Sequence, residues 1–129
     1  MGKIGKNKIK ILLIEDDPFL LSMYSAKFEL EGFAVIAAVD GEEGWQKAQT
    51  VGPDIILLDI MLPKMNGFDV LEKIKSDPRT RDIPVILLSN LNQKDEIDRG
   101  FASGAADYLI KAHYMPSEVV SRIKQILNK

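Results

Sequence analysis

Short apolar runs alternate with longer amphipathic segments along this chain, and the alternation occurs five times. The first run, residues 11–14, is apolar at every position, as expected for a strand covered on both faces. The longer segments carry apolar residues at helical spacing, for example Leu20, Tyr24 and Phe28. Consecutive strand–helix units favour parallel strands with helices packed on both faces of one sheet. The sequence therefore predicts an α/β fold with a five-stranded parallel sheet.

The same pattern predicts where each element lies. Asp17 followed by Pro18 indicates a helix start, since Asp caps helices and Pro suits their first position. Gly32 indicates where that helix ends. Strands are expected at 11–14, 33–38, 55–58, 85–88 and 108–110, with further helices at about 41–50, 66–76, 92–103 and 116–127. Residues 1–7 are predicted to form a Lys-rich tail, and residues 8–128 a single folded domain.

Composition excludes several kinds of site. Seventeen basic and nineteen acidic residues give a net charge of −2, so no general attraction to nucleic acid or membrane is expected. The chain has no cysteine and a single histidine, His113, which argues against disulfides, zinc sites and Ser–His triads. No apolar run approaches the roughly 20 residues needed to cross a bilayer, and no signal segment is evident, so a cytoplasmic location is expected.

Polar residues follow four of the predicted strands at the point where each strand ends. Because the carboxyl ends of parallel strands share one edge of the sheet, and open α/β folds bind ligands there, these side chains should converge. They are Glu15 and Asp16 after the first strand, Asp59 after the third, Ser89 after the fourth and Lys111 after the fifth.

This set of groups favours a divalent cation and a phosphoryl group. Crowded carboxylates repel one another unless a cation offsets them. Mg²⁺ prefers hard oxygen ligands and retains several waters, and Mn²⁺ is a possible substitute. With the charge offset by the metal and by Lys111, Asp59 could act as a carboxylate nucleophile and form an acyl phosphate.

In this order and at these strand ends, the residues closely resemble the receiver domain of two-component response regulators. The segments that carry the resemblance are residues 12–18 (LLIEDDP), 59–67 (DIMLPKMNG) and 104–111 (GAADYLIK). The resemblance extends over nearly the whole chain. Within the family, the chain looks like the single-domain, chemotaxis-regulator-like members. The resemblance implies a flavodoxin-like, doubly wound (βα)5 fold with strand order 2-1-3-4-5.

The resemblance also implies a role for each site residue. Asp59 would be the phospho-acceptor, and Lys111 would pair with the phosphoryl group. Ser89 would move to hydrogen-bond a phosphoryl oxygen, and Tyr108 would be the aromatic side chain whose rotamer follows that movement. The implied Mg²⁺ ligands are Asp16 directly, Glu15 through water, Asp59 and the backbone carbonyl of Met61.

A protein of this kind would be a signalling switch and not a turnover enzyme. The phosphoryl donor would be a histidine kinase or a histidine phosphotransfer protein. Phosphorylation would change the surface formed by the fourth helix, fifth strand and fifth helix, and an unidentified downstream protein would recognise it. A phosphorylation-dependent homodimer is left open, and direct binding to nucleic acid or membrane is not expected.

Three alternatives remain at this point. A phosphatase of the haloacid dehalogenase type also forms an aspartyl phosphate, but it needs a second carboxylate where this chain has Met61. A flavin-binding domain of similar topology needs a phosphate-cradling loop where this chain has acidic residues 15–17. The chain could also be a receiver fragment of a larger regulator with an output domain.

Several positions depart from the family pattern. Ala112 follows Lys111 where many members have a proline in a cis peptide, so this loop is expected to be trans or strained. Met115 stands where a Ser or Thr would cap the last helix, and Gly100 is expected to loosen the fourth helix. Met61 and Leu91 flank the expected path of a hydrolytic water and cannot orient it. A long-lived acyl phosphate is therefore expected.

Overall fold

Five parallel strands form one sheet in the order β2-β1-β3-β4-β5, which confirms the predicted fold class and strand order. The computed structural model describes residues 8–128, so the predicted tail of residues 1–7 lies outside the described part. The strands are β1 (Lys10–Ile14), β2 (Ala34–Ala38), β3 (Ile55–Leu58), β4 (Val85–Ser89) and β5 (Asp107–Ile110).

Within residues 8–128, an α-helix follows each of the five strands. They are α1 (Pro18–Leu30), α2 (Gly41–Thr50), α3 (Gly67–Ser76), α4 (Lys94–Ala102) and α5 (Pro116–Asn128). A 3₁₀ turn at Lys111–His113, which the sequence pattern did not predict, precedes α5. The other differences from the predicted elements lie at element ends. Asn66, for example, caps α3 from outside the helix, since its side chain accepts a hydrogen bond from the Asp69 N–H at 3.1 Å. None of the helices within residues 8–128 combines the length and apolar character that a membrane span requires.

The sheet is buried on both faces because alternate residues of each strand point to opposite sides. On one face, Leu12 and Ile14 of β1 pack with the apolar residues of α3, which include Val70, Leu71 and Ile74. On the other, Ile11 and Leu13 of β1 pack with α1 and α5 through Tyr24, Phe28, Val119 and Ile123. Two apolar layers therefore hold the strands rigidly and leave their carboxyl ends free to carry polar groups.

Helix α4 runs without a break through Gly100, which is buried. A Cβ atom added at Gly100 would lie 2.7 Å from Leu87 Cδ1 and 3.0 Å from Tyr108 Cδ2. The glycine is therefore explained by close packing, because it allows α4 to approach β4 and β5.

The start of α5 is better capped than Met115 alone suggests. The Met115 N–H donates to Glu118 Oε1 at 2.7 Å, and the Glu118 N–H donates to the Met115 carbonyl at 2.9 Å. A capping box has two hydrogen bonds, and Glu118 supplies the one in which its side chain accepts from the backbone N–H of the cap residue. This bond does not need a polar side chain at Met115. Throughout residues 8–128 the peptide bonds are trans, including the bond from Lys111 to Ala112.

Candidate functional site

The register of the sheet places the first two site residues next to each other. Ile14 of β1 is paired with Leu58 of β3, so Glu15 and Asp59 leave the sheet side by side. The Asp59 N–H donates to the Ile14 carbonyl at 3.1 Å, which continues the ladder to the site itself. Both side chains are buried, with 2% and 7% of their residue surface exposed.

Three carboxylates form a compact cluster at this edge. One oxygen from each of Glu15, Asp16 and Asp59 lies within 4.8 Å of the others. Asp16 is exposed, whereas the other two are buried, so the cluster opens to solvent on one side. Hard oxygen donors with an open side suit Mg²⁺ or Mn²⁺, which keep part of their water shell. The donor set therefore fits the metal expected from the sequence.

Lys111 reaches into the cluster from the end of β5. Its Nζ lies 2.6 Å from Glu15 Oε1 and 3.1 Å from Asp59 Oδ2, and its side chain is only 10% exposed. Burial alone would lower the pKa of Lys111, but the hydrogen bond that it donates to Glu15 and the charge of Asp59 outweigh burial and raise the pKa. Burial is the main cause that raises the pKa of Glu15. One ammonium faces three carboxylates, so the site retains an excess of acidic groups.

Asp59 is held in one orientation. Its Oδ1 accepts a hydrogen bond from the Ile60 N–H at 2.7 Å and a longer one from the Met61 N–H at 3.4 Å. Its Oδ2 is bound only by the ammonium of Lys111 among the residues that the structure describes. The two oxygens therefore differ, because the backbone engages one and a movable side chain engages the other.

Two glycines fix the loop that follows Asp59. A Cβ atom on Gly67 would lie 2.3 Å from the Asp59 carbonyl oxygen, and one on Gly41 would lie 1.8 Å from the Met65 carbonyl oxygen. The Gly67 N–H donates to the Ile60 carbonyl at 2.8 Å. Helices α2 and α3 therefore contact this loop through backbone atoms, at distances only glycine allows.

Ser89 and Tyr108 meet in the loop after β4. Ser89 is 1% exposed, and its Oγ accepts a hydrogen bond from the Leu91 N–H at 3.3 Å. The Tyr108 hydroxyl donates to the Leu91 carbonyl at 2.7 Å. Burial is the main cause that raises the pKa of Tyr108. The hydroxyl expected to respond to phosphorylation and the aromatic ring expected to follow it are thus linked through Leu91.

The remaining candidates lie at the rim. The Met61 side chain is exposed, and the role predicted for its backbone carbonyl stays a prediction. Asp17 caps α1, as predicted: its Oδ1 accepts from the Phe19 N–H at 2.9 Å and from the Leu20 N–H at 3.3 Å.

Two features of the site were not predicted from the sequence. The first is the direct ion pair between Glu15 and Lys111. The sequence predicts that Glu15 acts at the metal and Lys111 at the phosphoryl group, and does not pair them. The second is Asn90, whose Oδ1 accepts a hydrogen bond from the Ala112 N–H at 3.1 Å. Its position directly after Ser89, at the same strand end, was a signal that could have drawn attention to it.

Comparison with known proteins connects this geometry to one family. A family profile described as the response regulator receiver domain matches residues 11–124. The DNA-binding dual master transcriptional regulator RpaA of Synechocystis sp. is 42% identical over 120 residues, which are 93% of this chain and 49% of that protein. The chain spans about half the length of the first curated relatives it matches.

Solved structures agree in fold. A putative response regulator from Chloroflexus aurantiacus superposes with a TM-score of 0.88 at 29% identity, covering 95% of this chain and 100% of that one. The BeF₃-activated DrrB receiver domain superposes with a TM-score of 0.81 at 29% identity, covering 95% and 99%.

Proposed function

Because the chain belongs to the response regulator receiver domain family, we propose that it is a phospho-acceptor switch in which Asp59 takes the phosphoryl group. Receiver domains are signalling switches and not turnover enzymes. The observation that carries the proposal is the position of Lys111, whose ammonium contacts both Glu15 and Asp59 beside the exposed carboxylate of Asp16. A nucleophilic carboxylate, a cation beside it and an open acidic face are the parts that transfer of a phosphoryl group to aspartate requires.

The two oxygens of Asp59 have different tasks in this proposal. Oδ1 accepts the Ile60 N–H and fixes the carboxylate, so Oδ2 is the attacking atom. When the donor arrives, the ammonium of Lys111 moves from Oδ2 towards the phosphoryl oxygens. The bond from phosphorus to the histidine nitrogen of the donor breaks, and a bond from phosphorus to Oδ2 forms.

Asp16 and Asp59 would hold Mg²⁺ directly. Both oxygens of Glu15 already have partners, since Oε1 accepts from Lys111 and Oε2 accepts from the Asp17 N–H at 3.0 Å. This supports the expectation that Glu15 reaches the metal through water. Met61 would add its backbone carbonyl. When bound, Mg²⁺ would offset the negative charge of the carboxylates and of the incoming phosphoryl oxygens.

The response would begin at Ser89. A phosphoryl group adds strong acceptor oxygens, and these can draw the Ser89 hydroxyl away from Leu91. Tyr108 bonds to the same residue, so its ring would be released with it. The surface formed by α4, β5 and α5 would then change, and a downstream protein or a second copy of the chain could recognise the change. A histidine kinase or a histidine phosphotransfer protein would be the donor.

Incubation with Mg²⁺ and acetyl phosphate tests the core of the proposal. Intact-mass measurement should show that one phosphoryl group is added to the native chain. When EDTA is present from the start, no phosphoryl group should be added. Asp59→Asn is the matched control, because the amide oxygen can still accept the Ile60 N–H but is not a nucleophile. Beryllofluoride, the activator of DrrB, is a second probe. Modification of Asp59→Asn to the same extent as the native chain would refute the assignment.

A further inference from the structure

The two loops that border the site on the β4 and β5 side are joined by one hydrogen bond. Asn90 Oδ1 in the loop after β4 accepts the N–H of Ala112 in the turn after β5, at 3.1 Å. Each partner is the chain neighbour of a site residue, since Asn90 follows Ser89 and Ala112 follows Lys111. The bond therefore connects the backbone that carries the hydroxyl to the backbone that carries the ammonium.

This bond depends on the residue types found in this chain. Ala112 lies in the 3₁₀ turn Lys111–His113, and the first N–H groups of a helical turn have no partner within it. Such a group needs an outside acceptor, which Asn90 provides. A proline at position 112 would have no N–H, so the connection would be lost.

The remaining contacts of the two loops show what the bond adds. The loop after β4 is also tied at Leu91, whose carbonyl accepts from the Tyr108 hydroxyl. The ammonium of Lys111 is held at its tip by Glu15 and Asp59, but four methylene groups separate it from its own backbone. The ladder between β4 and β5 pairs Ser89 with Ile110 and ends there. The bond from Ala112 to Asn90 extends the connection between the two backbones beyond that last pair.

We propose that Asn90 is a positioning residue: through Ala112 it sets the separation of Ser89 and Lys111, so that both reach the same phosphoryl group. The proposal rests on the function proposed above for Asp59. Asn90 touches neither metal nor phosphoryl group in this role. Its contribution is geometric, and small displacements of groups that surround a reacting centre reduce rates strongly.

The variant Asn90→Ala removes the acceptor and leaves the rest of the loop intact. Because Asn90 is exposed, water can replace the lost partner, so thermal stability should change little. The rate constant for phosphorylation at saturating acetyl phosphate and Mg²⁺ should fall about three- to tenfold. This is the fold-change expected when the free energy of one hydrogen bond is lost from the transition state. Asn92→Ala, in the same exposed loop, is the control and should keep the native rate.

A second variant, Ala112→Pro, removes the donor of the same bond. If both changes act through one interaction, the double variant should be no slower than the slower single variant. The amide resonance of Ala112 in a ¹⁵N correlation spectrum gives a readout independent of activity. It should move upfield in Asn90→Ala and stay in place in Asn92→Ala.

Three results would overturn the proposal: equal rates for Asn90→Ala and Asn92→Ala, multiplicative effects in the double variant, or an Ala112 amide that does not respond to Asn90→Ala. Failure of the underlying function looks different. In that case the native chain itself would take up no phosphoryl group, whereas here the native chain reacts and only the role of Asn90 is refuted.

Discussion

Two loops at the same edge of the sheet are held by different kinds of contact. The acceptor loop, residues 59–67, is fixed by backbone atoms: the Gly67 N–H binds the Ile60 carbonyl, and the Gly41 N–H binds the Pro63 carbonyl at 3.2 Å. The switch loop, residues 90–93, is tied to β5 and its following turn by two single hydrogen bonds that involve side chains, from Tyr108 and to Asn90.

The contrast matches the tasks proposed for the two sides. A metal ligand and a nucleophile must hold their geometry, and close backbone contacts cannot be exchanged for others without moving a whole helix. The hydrogen bond from the Tyr108 hydroxyl is worth only about 1 kcal/mol, so movement of Ser89 towards a new phosphoryl group can break it. The site thus has a rigid half, the acceptor loop, where the phosphoryl group would be attached. It also has a replaceable half, the switch loop, whose side-chain hydrogen bonds can be exchanged when that group is present.

The largest effect should come from disturbing the rigid half. Gly41→Ala places a Cβ atom 1.8 Å from the Met65 carbonyl oxygen, so α2 or the acceptor loop must shift. We expect the free energy of unfolding to fall by about 2–3 kcal/mol, measured by chemical denaturation. Gly52→Ala is the control: its φ is +63°, but nothing lies within 4 Å, so the loss should be about 1 kcal/mol. Equal losses would show that the close approach is not what stabilises the loop.

Metal binding should act on the rigid half alone. At ten times its dissociation constant, Mg²⁺ should stabilise the native chain by about 1.4 kcal/mol, seen as a higher melting temperature. Asp16→Asn should lose most of this stabilisation, because it removes the exposed carboxylate of the cluster. Tyr108→Phe should keep it. A response to Mg²⁺ that survives in Asp16→Asn would place the metal elsewhere.

The replaceable half should respond locally to a smaller change. Tyr108→Phe removes the hydroxyl that binds the Leu91 carbonyl, and should lower the free energy of unfolding by about 1 kcal/mol. Hydrogen exchange should accelerate in residues 90–93 and stay unchanged in residues 59–67. Faster exchange in both loops would mean that they are not independent.

The smallest effect concerns the lifetime of the acyl phosphate. Met61 is exposed beside Asp59 and cannot orient an attacking water. Met61→Asn should shorten the lifetime about threefold, which corresponds to one weak hydrogen bond of about 0.6 kcal/mol to that water. Phosphate release from the purified phosphoprotein measures it, with Met61→Leu as the apolar control. Identical decay in all three proteins would contradict the expectation.

Much of the fold and the placement of the site could be predicted from the sequence because both follow from strand ends. Apolar runs identified the strands, parallel order brought their carboxyl ends together, and the polar residue after each run marked the site. The structure places Asp16, Asp59 and Lys111 together for this reason.

Contacts between distant elements could not be predicted in the same way. Gly100 suggested a loose helix because glycine has a low helix propensity, but propensity does not reveal that Leu87 and Tyr108 lie against that position. The position of Asn90 after Ser89 marks the residue but not its bond, since the acceptor is a side chain and the donor is a backbone N–H 22 residues away. Such pairs depend on the final packing of two loops.

The strand register has a consequence for how the length of the chain can vary. Ile14 is opposite Leu58, Leu58 is opposite Leu87, and Ser89 is opposite Ile110, so every site residue is located by counting from its neighbours. One residue inserted into β3 would displace Asp59 by about 3.3 Å and turn its side chain to the other face. Insertions at the opposite edge of the sheet, in residues 51–54 or 77–84, would leave this alignment intact.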